Sequence, residues 1–271
     1  MPYVGYAQRI SLGFEAGGIN YQGEMQNLSF SFTGMHLHNG FSAMFDVTDR
    51  FTVMGSLVHG NLSGRDRQLL RNSNNQARNL SFNTSLEEVG ILLRARLLTD
   101  QVIMPYVASG GAIFRINPMT VDAAGVSHAL YPLSTEGQGL PEYPGQPTHR
   151  YTQPALMFGS GLEWRRGRWF RLDTEVLFRK SFTDYIDDVS SFYADPAILL
   201  KHRGPKAVEL AYRGDEVPGG QLGYPPAGSQ RGNHYRMDWY HSINVRLRVI
   251  LHDWRRAREE RRALRCVQCA W

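Results

Sequence analysis

Apolar and polar residues alternate along eight stretches of the chain, and the clearest of these runs from Trp169 to Phe182. One face of this stretch is mostly apolar and comprises Phe170, Leu172, Thr174, Val176 and Phe178. The opposite face is charged and comprises Arg171, Asp173, Glu175 and Arg179. Successive side chains of a β-strand point to opposite faces, whereas a helical face repeats every 3.6 residues or so. This period of two therefore predicts strands.

The connections between the predicted strands alternate strictly between short and long. The short connections lie at 46–50, around 99–101 and at 166–167. The long connections lie at 23–36, 64–79, 118–151 and 183–236. An even number of strands with short periplasmic turns and long extracellular loops is typical of outer-membrane barrels. We therefore predict an all-β fold, an eight-stranded antiparallel transmembrane β-barrel in the cell outer membrane. A soluble β-sandwich or lipocalin-like barrel is the alternative.

The barrel is predicted to occupy residues 9–251, between two short terminal segments. Residues 1–8 end in Gly5-Tyr6-Ala7-Gln8, and we interpret them as the remnant of a signal peptide or as an ordinary flexible N-terminus. Residues 252–271 are interpreted as a basic periplasmic C-terminal tail, because they hold six arginines against three acidic residues.

Composition agrees with this picture once the alternation is recognised. The mean hydropathy is −0.37, and the chain has no run of about 18 apolar residues, which excludes a transmembrane helix. Aromatic residues make up 11% of the chain, more than a disordered protein would contain. The net charge of +5 owes much to the tail, so we infer no nucleic-acid partner. The sequence indicates no cofactor.

The polar faces of the strands are expected to point into the barrel, since the apolar faces would contact outer-membrane lipids. The predicted interior set contains both signs of charge and comprises Glu15, Glu88, Arg94, Arg96, Arg115, Glu163, Arg171, Asp173, Glu175, Arg179, Arg246 and Arg248. An ion-selective channel would favour one sign of lining charge. An interior of eight strands is just wide enough for side chains to fill, so we predict a plug of ion pairs.

Two strands have less regular patterns. In the fourth, Phe82 and Leu86 are out of phase with the apolar residues after Val89, which predicts a β-bulge near Glu87. In the fifth, the lipid-facing set is predicted to be Tyr106, Ala108, Ala112, Phe114 and Ile116, opposite Arg115. Tyr106 and three tryptophans near strand ends are expected in interfacial aromatic girdles; the tryptophans are Trp164, Trp169 and Trp239.

The sequence gives only weak signals for a catalytic or metal-binding site. His241 and Ser242 are adjacent and therefore point to opposite faces of a strand, which argues against a Ser–His device and predicts a protein that is not an enzyme. Asp184, Asp187 and Asp188 form an acidic cluster that calcium would accept, but the spacing is not that of an EF-hand, and a solvated or loop-ordering acidic cluster is favoured. No metal site is assigned.

The two cysteines, Cys266 and Cys269, both lie in the last six residues. A single CxxC pair lacks the four ligands of a structural zinc site. A local disulfide and a pair of free thiols are both compatible with the sequence.

Three motifs resemble the PorG-like outer-membrane barrels of the type IX secretion system. The first is Tyr131-Pro132-Leu133 followed by Thr135-Glu136-Gly137-Gln138-Gly139. The second is the stretch from Arg179 to Ser190, in which the recognisable residues are Phe182, Thr183, Asp184, Tyr185, Asp187 and Asp188. The third is Arg231-Gly232-Asn233 with Asp238-Trp239-Tyr240. The resemblance covers essentially the whole chain from Arg9.

The resemblance implies a non-enzymatic barrel that anchors or assembles the type IX secretion machinery. The implied partners are periplasmic ring lipoproteins of the PorK and PorN type. A surface-loop binding or adhesion barrel is the alternative, and a small-solute channel is a further one.

The residues also offer a candidate partner-binding face on the periplasmic side. It comprises Arg50, Arg165, Arg166, Arg168, Trp254, Arg255, Arg258 and Arg262. The tail has helix formers spaced for one face, which suits docking. A solvated basic tail near anionic lipid headgroups is equally compatible.

Overall fold

A computed structural model describes residues 9–26, 30, 32–68, 78–218 and 223–254 of the chain. Its strands, in chain order, are β1 (Arg9–Gln22), β2 (His36–Asp46), β3 (Phe51–Arg65), β4 (Ser81–Arg96), β5 (Ile103–Ile116), β6 (Met119–Val121), β7 (Ser127–Ala129), β8 (Thr152–Arg166), β9 (Phe170–Ser181) and β10 (Trp239–Asp253). β6 and β7 follow β5 in the chain and form a short hairpin, and β6 pairs with β4 at Asn83 opposite Met119. The other eight strands are long.

The eight long strands form a closed antiparallel barrel. Each pairs with the next long strand along the chain, and β10 pairs back with β1 to close the sheet. The short turns 47–50, 97–102 and 167–169 lie at one end, and the long segments 23–35, 66–80, 117–151 and 182–238 lie at the other. The predicted eight-stranded barrel is confirmed. Among the described residues, no helix is long and apolar enough to cross a membrane.

The bulge predicted near Glu87 is absent. The register between β3 and β4 runs without a slip from Phe51 opposite Ala95 to Arg65 opposite Ser81. The apolar residues change phase because Phe82 and Leu86 point into the barrel, whereas those after Val89 point outward. The interior becomes apolar near its extracellular end, so both faces of the sheet carry apolar side chains at different heights.

The facing predicted for β5 was wrong. Tyr106 is 1% exposed and lies inside the barrel, where its hydroxyl donates a hydrogen bond to Glu175 Oε2 at 3.0 Å. It therefore does not belong to an aromatic girdle. The outward face of β5 carries Val107, Ile113 and Arg115, so Arg115 is not an interior residue.

The described parts of the loops at the extracellular end fold into a cap. They include two helices, α1 (Pro196–Arg203) and α2 (Pro205–Ala211). The side chain of Asp195 caps α1 by accepting a hydrogen bond from the backbone N–H of Ala197 at 2.7 Å. Helix and loop side chains pack into a small core of their own, comprising Leu140, Ala194, Leu199, Ala207 and Ala211.

A second apolar core joins the cap to the barrel. Its barrel side chains include Ile19, Leu62, Leu86, Phe114 and Tyr240. Its loop side chains include Leu130, Ile186, Val189 and Leu210. All of these are buried. Apolar packing therefore fills the extracellular end of the barrel, and the cap packs directly against it.

Candidate functional site

The remaining interior of the barrel holds charged side chains beside a further buried apolar cluster that includes Met54, Leu92 and Leu177. Eleven of the twelve residues in the predicted set are buried there, and Arg115 is the exception. With Asp46 the buried acidic residues are Glu15, Asp46, Glu88, Glu163, Asp173 and Glu175. The buried basic residues are Arg94, Arg96, Arg171, Arg179, Arg246 and Arg248. Six carboxylates thus face six guanidinium groups, and the sum of these charges is zero.

The periplasmic end of this network is centred on Glu163. Its carboxylate accepts hydrogen bonds from Arg96 at 2.9 Å and lies 2.5 Å from Arg248 Nη2. Arg96 also bonds to Asp46 Oδ1 at 3.0 Å, and Asp46 accepts a bond from the hydroxyl of Thr52 at 2.5 Å. Planar guanidinium groups can bridge two carboxylates in this way, which a lysine could not do with the same geometry.

The middle of the barrel is occupied by a second layer around Arg246. This side chain bonds to Glu15, with Nε to Oε2 at 2.7 Å, and to Glu175 Oε1 at 2.9 Å. Arg94 bonds to Asp173 at 3.1 Å and lies 3.7 Å above the ring of Tyr106. The layer therefore holds each charge against an opposite charge or an aromatic face.

The uppermost pair is Arg179 with Glu88. Two hydrogen bonds of 3.1 Å join Nε and Nη2 of Arg179 to the two carboxylate oxygens of Glu88. Tyr240 donates a third bond to Glu88 at 2.8 Å, and Arg179 Nη1 donates to the hydroxyl of Ser242 at 2.5 Å. Above this pair the apolar core begins, and a cavity beneath the cap, lined by Met25 among others, has a volume of only about 10 Å³. That is room for about one water molecule.

The outside of the barrel carries a broad apolar belt. Its exposed side chains include Leu12, Phe14, Phe41, Val53, Leu57, Ile91, Leu93, Val107, Ile113, Leu156, Phe158, Leu172, Val245 and Leu247. Such an area of exposed apolar surface is not found on a soluble monomer. In a closed sheet every strand is paired on both sides, so all backbone N–H and C=O groups can be hydrogen-bonded within the membrane. An apolar exterior and a polar interior are typical of such transmembrane barrels. The protein is an outer-membrane β-barrel.

Arg115 lies at the extracellular edge of this belt, within a row of exposed polar residues on neighbouring strands. The cross-strand neighbours in the row are Asn39, His59, Glu87, Arg115 and Thr152. Beyond the row, the outward residues of β4 are again polar. A long arginine side chain at this height can reach the lipid headgroups, so its position outside the barrel costs little.

The three motifs that resemble PorG-like proteins meet inside the extracellular cap. Glu136 of the first motif accepts hydrogen bonds from the backbone N–H groups of Ser190 and Ser191, each at 2.9 Å. Arg231 of the third motif donates to Glu136 Oε1 at 2.9 Å and to the carbonyl oxygen of Asp188 at 2.5 Å. Segments almost 100 residues apart are thus tied through one buried ion pair.

The predicted motif residues of 182–188 have different environments. Thr183, Asp184, Asp187 and Asp188 are buried, Tyr185 is half-buried, and Phe182 is 54% exposed. Asp188 accepts a hydrogen bond from the hydroxyl of Thr135 at 2.6 Å. Most of this motif therefore builds the cap rather than presenting side chains to solvent.

Asp184 lies in an acidic group with Glu24, Asp187 and Asp238. Burial raises the pKa of Asp184 to about 9, and repulsion from Glu24 and Asp187 acts in the same direction, while the Ser190 side chain lowers it in part. Burial raises the pKa of Glu24 to about 7, although the backbone N–H of Asn233 lowers it. The pKa values of Asp187 and Asp238 are also raised by burial and by their acidic neighbours. Sequence reasoning missed Glu24 and Asp238 here, because they are distant from Asp184 along the chain.

The periplasmic end carries an exposed basic rim. Arg50, Arg166 and Arg168 are exposed in the short turns or beside them, and Arg165 is half-buried. Arg168 lies 4.5 Å from the ring of Trp169, which is itself exposed. Trp254 is partly exposed at the end of the described chain. The other predicted tail residues, Arg255, Arg258, Arg262, Cys266 and Cys269, lie outside the described residues.

Comparison with known proteins gives a likeness of fold alone. No protein-family model and no curated protein matches the chain. Among solved structures, neisserial surface protein A (NspA) is similar at 8% identity, over 89% of this chain and 96% of that chain, with a TM-score of 0.43. Ail of Yersinia pestis is similar at 9% identity over 90% and 97%, with a TM-score of 0.39. OprG of Pseudomonas aeruginosa is similar at 9% identity over 91% and 95%, with a TM-score of 0.39. The strand pairing of the chain itself establishes the barrel.

Proposed function

We propose that the protein is a non-enzymatic anchor of the type IX secretion machinery, which holds periplasmic ring lipoproteins of the PorK and PorN type at the outer membrane. The observation that carries the proposal is the filled and electrically neutral interior of the barrel. With six carboxylates paired against six arginines, the barrel is built as a rigid body in the membrane. Its action is therefore assigned to its surfaces.

The motifs favour this secretion system over other roles for such a barrel. The residues that resemble the PorG-like family include Glu136, Asp188 and Arg231, which meet in one buried cluster. The residues that resemble the family's motifs are therefore the ones that hold the cap together here. This agreement supports the resemblance to the PorG-like family, and the anchoring role is proposed on the basis of that resemblance.

The basic rim supports docking on the periplasmic side. Arg50 is exposed in the β2–β3 turn, and Arg166 and Arg168 are exposed at the β8–β9 turn, so the rim has guanidinium groups on two separate turns at the end of the barrel that faces the periplasm. Exposed guanidinium groups recognise carboxylates through paired hydrogen bonds, so the matching surface would be acidic. The non-enzymatic part of the proposal follows from the strand faces: Ser242 is bonded to Arg179 inside the barrel, and the adjacent His241 points the other way.

Affinity purification from native outer membranes tests the proposal. Three forms of the protein should be compared: the wild type, a rim variant with Arg50, Arg166 and Arg168 changed to Ser, and the chain without residues 252–271. A matched control changes three exposed arginines at the extracellular end, Arg65, Arg67 and Arg203, to Ser.

We expect the ring lipoproteins to be recovered with the wild type and the extracellular control, and to be reduced in the rim variant or the truncated chain. Heat-modifiable gel migration establishes that each form is folded. Recovery of no ring lipoprotein with the folded wild type would refute anchoring. Equal recovery with every variant would remove the rim and tail from the binding surface and leave them as contacts for anionic lipid.

Surface binding through the cap is a second candidate, favoured by the order of the cap. The helices α1 and α2 have their own core, and a cavity of about 310 Å³ opens beside Tyr131, His149 and Tyr185. Deletion of residues 196–211 should then abolish binding of whole cells to a surface or a ligand while the barrel still folds. Unchanged binding by the deletion variant would remove this candidate.

A further inference from the structure

Three carboxylates converge where two extracellular loops meet above the barrel. Glu24 comes from segment 23–35, and Asp184 and Asp238 come from the two ends of segment 182–238. One oxygen of each lies within 4.8 Å of the others. Residues separated by more than 200 positions in the chain thus share one small space.

The hydrogen bonds around this space leave several oxygens without a donor. Asp238 accepts bonds from the Tyr21 hydroxyl at 3.0 Å and from the backbone N–H of Ile186 at 2.9 Å. Neither oxygen of Asp184 accepts a hydrogen bond of normal geometry from any described residue, and neither does Glu24 Oε2. The Ser190 side chain makes a weaker contact with Asp184, which lowers its pKa in part. Asp184 is only 4% exposed, so water cannot solvate its carboxylate as it would on an open surface.

A buried carboxylate without a hydrogen-bond donor or a paired cation is costly. The charges of Arg78 and Arg236 lower the pKa of Glu24. The guanidinium of Arg78 is already bonded to Asp66, with both contacts at 2.8 Å, and Arg236 is exposed. The unused lone pairs of Asp184 and Glu24 are therefore available to a positively charged ligand that is coordinated by oxygen atoms.

We propose that Glu24, Asp184 and Asp238 bind a calcium ion, which ties the first extracellular loop to both ends of the last one. All the available ligand atoms are carboxylate or hydroxyl oxygens, which suits a hard divalent cation. Calcium accepts six to eight such ligands in flexible geometry, so waters and the second oxygen of a carboxylate can complete the shell. Magnesium requires a near-ideal octahedron, for which this mixture of loop carboxylates is poorly suited.

Two features of the surroundings fit a binding site. At Gly23, a Cβ atom would come within 1.9 Å of the Tyr21 hydroxyl and 2.1 Å of Asp238 Oδ1. Only glycine therefore allows these two groups to approach the first loop. Asp184 also lines the open cavity beside Thr183, His234 and Met237, which provides a route for the ion from solvent.

Isothermal titration calorimetry of the full-length protein in detergent, freed of metal with a chelator and titrated with CaCl₂, tests the site. We expect one calcium ion per chain, with affinity in the range of extracellular calcium modules, a dissociation constant of about 1 mM or tighter. The variants D184N and E24Q keep the shape of the side chains and remove one charge each, and we expect each to weaken binding roughly tenfold or more. D215N is the matched control, because Asp215 is an exposed carboxylate in the same loop.

Absence of saturable binding by the wild type would overturn the proposal, as would equal affinity in D184N, E24Q and D215N. Tighter binding of MgCl₂ than of CaCl₂ would overturn the assignment to calcium. Gel migration shows whether each variant is folded. If D184N fails to fold, the calcium affinity of E24Q is compared with that of D215N instead. The site lies on the opposite side of the membrane from the proposed anchoring face, so its failure and that of the anchoring role are distinguishable.

Discussion

The pair formed by Arg179 and Glu88 provides the sharpest test of how the interior is stabilised. Arg179 is 0% exposed and Glu88 is 2% exposed, and the pair is joined by two hydrogen bonds of 3.1 Å. It stands above the larger network around Arg246, so one residue can be changed without disturbing the layers below. The perturbation is Arg179→Met, which keeps much of the volume and removes the charge and the donors.

The expected cost follows from what the substitution leaves behind. Glu88 loses two charge-assisted bonds, each contributing about 1.5–3 kcal/mol, and stays buried. It keeps the bond from the Tyr240 hydroxyl at 2.8 Å, which moderates the loss. Breaking one partner of a buried pair costs about 3–5 kcal/mol, so we expect the free energy of unfolding to fall by about 3 kcal/mol. The double variant R179M/E88Q removes both charges, and its amide still accepts from Tyr240. It should therefore recover about 1–2 kcal/mol relative to R179M, with a coupling energy within the usual range for contacting residues.

Equilibrium urea unfolding in detergent micelles, followed by tryptophan fluorescence and by heat-modifiable gel migration, measures these differences. R166M serves as the control, since Arg166 is exposed at the periplasmic end and its loss should change stability by less than about 0.5 kcal/mol. If R179M is as stable as R166M, or if R179M and E88Q have strictly additive effects, the ion pair does not stabilise the barrel as described.

Other predictions concern packing, the cap and pH. Gly161→Ala should destabilise the barrel by about 1–3 kcal/mol, because a Cβ there would lie 2.3 Å from the Thr174 carbonyl oxygen and 2.5 Å from the Tyr106 ring. Gly55→Ala, with nothing within 4 Å, should be neutral in the same urea titration, and equal effects would contradict the packing argument. Glu136→Gln should expose segment 182–238 to limited proteolysis while the barrel stays folded, because Arg231 loses its buried partner; unchanged cleavage would show that the pair does not hold the cap. With a chelator present, protection of the cap should fall as pH rises from about 4 to about 9. The pKa values of Glu24 and Asp184 are raised to about 7 and about 9, from about 4.3 and 3.9 in an unfolded chain, so the folded state binds more protons in this window. Hydrogen exchange at several pH values measures this, and protection that rises with pH would contradict it.

The sequence predicted the fold well wherever the two faces of a strand have different chemistry. In β9, Arg171, Asp173 and Glu175 face the interior, while Phe170 and Leu172 face outward, as the alternation indicated. The order of short turns and long loops then determined the barrel and its orientation. These features depend on local pattern alone, which is why they can be read from the sequence.

The side of the sheet to which each side chain points could not be predicted where both sides of the sheet are apolar. In β5, Phe114 packs in the apolar core below the cap, while Ile113 is exposed on the outer face. With apolar residues on both faces, Arg115 is the only charged residue of the strand, and the alternation alone places it in the interior. Its real position depends on height in the membrane, because an arginine is stable outside the barrel once it can reach the headgroups. That height is set by the whole assembly of strands.

The cap shows a similar limit for the candidate sites. The motif residues Glu136, Asp188 and Arg231 could be recognised in the sequence as a resemblance, but their mutual contact could not. Likewise the acidic run beginning at Asp184 was visible, whereas Glu24 and Asp238 join it only through the folding of distant loops. Pairing between remote loops is a tertiary property that carries no local sequence pattern.

A neutral network of ion pairs and the apolar core above it seal the barrel, so we infer that the protein acts by binding at its surfaces. Conductance of the folded full-length protein in planar lipid bilayers measures whether the barrel is sealed. We expect no unit conductance above that of the protein-free bilayer, because Arg246, Arg179 and their carboxylate partners occupy the interior. Reproducible single-channel steps from correctly folded protein would contradict it.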